Sequence, residues 1–170
     1  MNGKLDLHNT ARQDSLLQKL GGHPFLRDFA PEHLATLIQF AVPTEFPPGQ
    51  VIFHQGDMAN CFYLILHGEI VLLANQNGGE CMPVDRIGHD DVLGWSWLFP
   101  PYRWNFTARA IVRTKAVFFY GTWLRERCEE DPALGYELMK RMTGVIVRRL
   151  QKTRQRLVEF LPHASDQASK

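Results

Sequence analysis

The sequence predicts a mainly β domain, an antiparallel sandwich or roll, with short helices before it and one long helix after it. Three observations carry that prediction. Between Ala41 and Tyr120, short β-branched and aromatic runs are broken about every ten residues by turn-forming clusters: Pro47-Pro48-Gly49, Gln55-Gly56-Asp57, His67-Gly68-Glu69, Asn77-Gly78-Gly79 and Gly88-His89-Asp90. On either side of that stretch, apolar residues recur at helical spacing. The 170 residues are 45% hydrophobic and 22% charged, a globular composition with enough length to bury a core without disulfide staples.

The elements follow in order. Leu16 to Leu20 and Pro31 to Phe40 predict two short helices; Leu34, Leu37, Ile38 and Phe40 are the apolar positions of the second, and Pro31 suits its first turn. Residues 1–22 form a helical lead. In the β region, Phe62, Leu64 and Leu66 alternate with Tyr63, Ile65 and His67 before Gly68-Glu69 turns the chain into Ile70 to Leu73, which predicts a hairpin. Thr122 is placed to cap a short helix ending about Glu130. Asp131-Pro132 then reads as the cap and first turn of a helix reaching Phe160, so that residues 131–161 form one long element and 162–170 a disordered tail.

The long helix carries two apolar stripes. Leu134, Leu138, Met142 and Val145 lie on one face, suited to packing on the sheet. Met139, Thr143, Ile146, Leu150, Thr153, Leu157 and Phe160 alternate four and three apart, the spacing of a coiled-coil seam, and predict a homodimer through this helix. The alternative is one wide core-facing stripe. Lys140, Arg141, Arg148, Arg149, Lys152, Arg154 and Arg156 make the same segment basic, with no acid from 140 to 156. That pattern fits a solvated face or a footprint for nucleic acid or an acidic partner.

Composition excludes several functions. Nineteen basic against eighteen acidic residues give a formal charge of +1, so the chain as a whole makes no case for a polyanion. Cys61, Cys81 and Cys128 are odd in number and far apart, which argues for reduced thiols and a cytoplasmic protein. The polar start, Met1 to Ser15, carries no signal peptide, and no apolar run is long enough to span a membrane. Gly94-Trp95-Ser96-Trp97-Leu98 begins like a nucleophile elbow, but Leu98 stands where the second glycine is required. His54, His67 and His89 are isolated, unlike the paired histidines of a metal-bearing jelly roll, and no phosphate-binding glycine loop occurs. Neither an enzyme nor a metal site is expected.

Pro48-Gly49-Gln50-Val51-Ile52-Phe53-His54-Gln55-Gly56-Asp57, followed by Phe62-Tyr63-Leu64-Ile65-Leu66-His67-Gly68-Glu69-Ile70, closely resembles the cyclic-nucleotide-binding domain of the catabolite-activator and fumarate-nitrate-regulator superfamily. The resemblance runs from about His23 to Phe160 and implies an antiparallel β-roll over residues 23–130, with a dimerising helix behind it. It also implies a ligand held by a cassette between two strands: a short helix whose N-terminal amides face the cyclic phosphate, a Gly-Glu pair opening it, and an Arg closing it. Here Gly94 is kept, Trp95 replaces the Glu, and Trp104 falls on the phosphate-binding Arg, with Asn105 after it. Ordinary cyclic AMP recognition is therefore not expected.

The residues assigned by this resemblance to a degenerate ligand site are Gly94, Trp95, Ser96, Trp97, Leu98, Arg103, Trp104, Asn105 and Phe106, with Arg103 long enough to replace the lost Arg. From the long helix, Arg149 and Thr153 join them, Thr153 matching a residue that reaches the base across the family's dimer. Three Trp, two other aromatics and two Pro within residues 94–104 suit a flat, apolar pocket. Its ligand is a cyclic nucleotide or an aromatic or hydrophobic small molecule, or else the rings fill the pocket themselves. The function expected is small-molecule sensing, the alternative a ligand-free dimerisation module acting through a protein partner. Ten residues after Phe160 leave no room for the roughly 70-residue helix-turn-helix of the family's regulators, so the chain is expected to be a stand-alone sensor or part of a longer regulator.

Overall fold

The computed structural model describes Leu16, Gln18 and residues 20–75 and 81–160, with Phe160 by its backbone alone. The lead before Leu16, the Asn77-Gly78-Gly79 turn and the 162–170 tail lie outside the described residues. Leu16, Gln18 and Leu20 are helical, and both leucines are buried. A 3-10 turn, Pro24–Leu26, leads to α1 (Pro31–Ile38). Eight strands follow: β1 (Ala41–Phe46), β2 (Val51–Phe53), β3 (Cys61–His67), β4 (Ile70–Asn75), β5 (Cys81–Ile87), β6 (Val92–Leu93), β7 (Thr107–Ala110) and β8 (Thr114–Tyr120). Helices α2 (Gly121–Glu130) and α3 (Pro132–Phe160) close the chain.

The strands form two four-stranded antiparallel sheets, ordered β1-β8-β3-β6 and β2-β7-β4-β5. This is the mainly β roll that the turn spacing predicted. Strand β3 lies inside the first sheet and is buried on both faces, which explains its unbroken apolar run. Phe62 and Leu64 face a core shared with the helices, where they meet Leu37, Val117, Phe119 and Leu124. Tyr63 and Ile65 face the roll interior with Ile70, Leu72, Ile87, Leu93 and Trp104.

The hairpin expected at His67-Gly68-Glu69 is not formed. Strand β3 pairs with β8 and β6, whereas β4 pairs with β5 and β7, so Gly68 carries the chain from one sheet into the other. Its φ is 109°, and a Cβ there would lie 2.6 Å from the Cα of Thr114. Only glycine fits this corner. Two helix boundaries also differ from expectation. Helix α2 starts at Gly121, with Tyr120 at the N-cap and no side-chain capping bond, so Thr122 is not the cap. Helix α1 stops at Ile38, leaving Phe40 outside it to stack on Trp123.

Helix α3 opens as expected: the Asp131 carboxylate accepts from the backbone amides of Ala133 (3.1 Å) and Leu134 (3.2 Å), with Pro132 in the first turn. Leu134, Leu138, Met142 and Val145 are buried in the helix-side core. Beyond them the helix contacts both sheets: Lys152 Nζ and Arg156 Nη1 lie 3.3 and 3.4 Å from the Asp85 carboxylate on β5 of the second, and Arg149 donates to the Val92 carbonyl on β6 of the first.

Candidate functional site

The segment between β6 and β7, residues 94–106, is the candidate ligand loop. It contains turns and no helix. The short helix implied by the resemblance is thus absent here, and with it the fan of N-terminal amides that would face a phosphate. Gly94 opens the loop at φ 87°, and a Cβ on it would come within 2.8 Å of the Trp104 ring. Close approach of that indole is what requires the glycine.

Trp104 is fixed at both backbone groups. Its amide donates to the Asp57 carbonyl at 3.0 Å, and its carbonyl accepts from the Gly56 amide at 2.8 Å. The indole is 5% exposed and stacks on Phe53 with centroids 3.9 Å apart and planes 12° from parallel. An apolar ring thus fills the position that the resemblance assigned to the phosphate-binding Arg. The cavity that remains is lined by Phe53, Leu72, Leu93, Gly94, Trp95, Trp104 and Phe106, with Ser96, Asn105 and Arg149 as its polar groups. Its volume is about 20 Å³, room for a single water molecule. Ligand sites are typically about 300 Å³ or more.

Ser96, Asn105 and Arg149 are the polar groups of the lining. Asn105 Nδ2 donates to Ser96 Oγ at 3.2 Å. The Arg149 guanidinium reaches the cavity from α3. Burial pulls its pKa below the usual arginine range, opposed by the negative charges of Asp91 and Asp85.

The other expected site residues are placed elsewhere. Arg103 is exposed and donates to the Gly56 carbonyl at 2.7 Å, outside the cavity lining. Trp97 is fully buried in the helix-side core, its ring stacked 5.3 Å from Phe62 and pressed against Gly121. Leu98 packs half-buried against the same core. Thr153 is exposed and does not line the cavity. Phe53, Leu72 and Leu93 were not foreseen as lining; strand alternation, with Phe53 and Leu72 on inward positions, was the available signal.

Along the expected seam, Met139, Leu150 and Leu157 are 41, 49 and 59% exposed, and Thr143 and Thr153 are exposed as well. Ile146 is half-buried, and the Phe160 side chain lies outside the described residues. Val147 and Val158 widen the apolar surface beside it. Among the described residues, the three cysteines are free, no cluster of metal-ligating side chains occurs, and no helix is long and apolar enough to cross a membrane.

Two four-stranded antiparallel sheets with a long trailing helix define the class of the chain as a β-roll. Residues 43–131 match the sequence pattern of the cyclic nucleotide-binding domain, and the chain belongs to that family. It is 24% identical over 148 residues to the CRP-like cAMP-activated global transcriptional regulator of Mycobacterium tuberculosis, a match covering 87% of this chain and 63% of that protein. The chain thus spans under two thirds of that relative's length. Among solved structures, a Geobacter metallireducens chain described as a cyclic nucleotide-binding protein superposes with a TM-score of 0.72 at 28% identity, covering 78% of this chain and 96% of the other. A cyclic nucleotide-binding domain from Methylobacillus flagellatus gives 0.72 at 18% identity over 89% and 86%. That second likeness is one of fold.

Proposed function

We propose that the chain is a regulatory module with no chemistry of its own, and that its effector is not cyclic AMP held in the family's manner but a compact aromatic or apolar small molecule. The observation that carries this reading is Trp104, stacked on Phe53 against Gly94 in the place of the phosphate-binding Arg. Neither a Glu at residue 95 nor a cassette helix supplies what the Arg would have supplied. Charge-assisted hydrogen bonds contribute about 1.5 to 3 kcal/mol each, so loss of both anchors weakens cyclic nucleotide binding by several orders of magnitude. Ser96, Asn105 and Arg149 beside aromatic walls support an effector that displaces the Trp104 ring and presents one polar end to those groups.

The M. tuberculosis relative is named for cAMP-activated control of transcription. By that analogy the output is regulatory, exercised in the cytoplasm through a protein partner or a further domain. The module acts as a homodimer through α3, a reading supported by the exposed Met139, Leu150 and Leu157. A second reading, a dimerisation module whose roll binds nothing, is favoured by the 20 Å³ cavity. A thermal-shift screen separates the two. Small aromatic acids, cyclic AMP, cyclic GMP and cyclic dinucleotides are added in turn; a saturable rise in melting temperature with an aromatic acid supports sensing, and no response to any compound supports the second reading.

A further inference from the structure

The basic run of α3 divides into engaged and free cations. Arg149, Lys152 and Arg156 turn toward Val92 and Asp85, as described. Arg141 is equally engaged: it pairs with Glu137 at 2.7 Å, donates to the Phe25 carbonyl at 2.8 Å and lies 4.6 Å over the Phe29 ring. Lys140 and Arg148 are exposed, and neither pairs with a carboxylate among the described residues. They stand two turns apart along the helix, a rise of about 12 Å.

Arg27, at the end of the 3-10 turn, faces them. It too is exposed and unpaired among the described residues. Turn and helix enclose an open groove of about 550 Å³, lined by Arg27, Lys140, Arg141 and Arg148 against Asp28 and Glu137. Four cations and two acids leave a local charge of +2, in a chain whose whole formal charge is +1. Glu137 is already held by Arg141, so Asp28 alone opposes three cations. The Arg141 bond to the Phe25 carbonyl and its contact with the Phe29 ring fasten the turn and the residues after it to the helix, while Glu137 on the same helix holds the guanidinium in place, so the walls are set before anything binds.

We propose that this groove binds a small anion carrying two or more phosphate groups. Positive charge distributed over about 12 Å is not matched by one carboxylate or one phosphate; a chain of phosphates spans it. Two of the three free cations are arginines, whose planar forks meet phosphate oxygens in pairs. The groove volume lies in the range of small-ligand sites, about 300 to 1,000 Å³. The site is separate from the cavity at Trp104, so neither proposal depends on the other.

Titration calorimetry of the full chain with inorganic tripolyphosphate tests it. The expected result is saturable binding with one site per chain, weakened about tenfold by Lys140→Ala and about tenfold by Arg148→Ala. Arg154→Ala, an exposed cation on the same helix outside the groove, leaves the affinity unchanged. Absence of saturable heat at millimolar tripolyphosphate overturns the proposal. An equal loss in Arg154→Ala overturns it in favour of diffuse helix charge. Orthophosphate binding as tightly overturns the requirement for more than one phosphate, and an oligoglutamate peptide binding as tightly makes the groove a peptide-docking surface instead.

Discussion

Replacing Trp104 with alanine removes the ring that fills the cavity. The indole is 5% exposed and lies in stacking contact with Phe53 and against Gly94, so its deletion takes away buried area and leaves a void that backbone bonds to Gly56 and Asp57 prevent from closing. Truncating a buried Trp costs about 3 to 5 kcal/mol. For a domain of this size each kcal/mol lowers the melting temperature by about 2 to 4 °C, which gives a fall of roughly 6 to 20 °C. The same variant supplies its own control. Added indole fits the void and, at ten times its dissociation constant, restores about 1.4 kcal/mol, while the wild type does not respond, because indole lacks the polar end that an effector needs to displace the Trp104 ring. Urea denaturation measures the loss and differential scanning fluorimetry with indole measures the rescue. A loss below about 1 kcal/mol, or equal indole stabilisation of both proteins, would refute the reasoning, because either means that the ring does not occupy the cavity.

Three further predictions concern the fold and its assembly. Gly68→Ala forces a Cβ to 2.6 Å from the Thr114 backbone at φ 109°, and urea denaturation should show a loss of more than about 2 kcal/mol; Gly49→Ala, at φ 84° with open space around it, should cost about 1 kcal/mol. Burial pushes the Cys61 thiol up to about 11, so the unfolded chain ionises first as pH rises above 9 and stability should fall between pH 9 and 11. Cys61→Ala should reduce that fall in a pH series of denaturation curves, leaving the part due to Cys128, whose thiol burial also pushes up to about 11, and at pH 8 iodoacetamide should modify exposed Cys81 well before Cys61. If α3 forms the dimer, Leu150→Asp and Leu157→Asp should each give monomers by sedimentation at tens of micromolar with little change in melting temperature, since both side chains are about half exposed or more in the single chain.

Much of this architecture was legible because its causes are local. Turn glycines, the apolar run of β3, the Asp131-Pro132 cap and the Leu134 to Val145 stripe each express a constraint within a few residues. The Gly68 corner was misread because a glycine at positive φ serves a hairpin and a sheet crossover alike; the difference lies in strand pairing, which is set by partners such as β7 and β8 far along the chain. At the site, the tryptophans at residues 95 and 104 are read from the sequence, and the resemblance assigns them to the anchor positions. What the indole at residue 104 does could not be read there, since stacking on Phe53 depends on two strands meeting. The same holds for the basic helix face, where identical residue types have different fates: Arg149 turns to Val92, Arg156 to Asp85, and Arg148 stays free. Burial of Trp97 rather than its neighbour Trp95 likewise follows from which side of the loop faces Phe62.

Calorimetric titration of the wild-type chain with cyclic AMP tests most directly whether Trp104 has taken the place of the phosphate anchor. The expected result is no saturable binding, or a dissociation constant well above about 10 micromolar. A constant at or below about 10 micromolar corresponds to roughly 7 kcal/mol, more than the remaining loop can supply, and would contradict it.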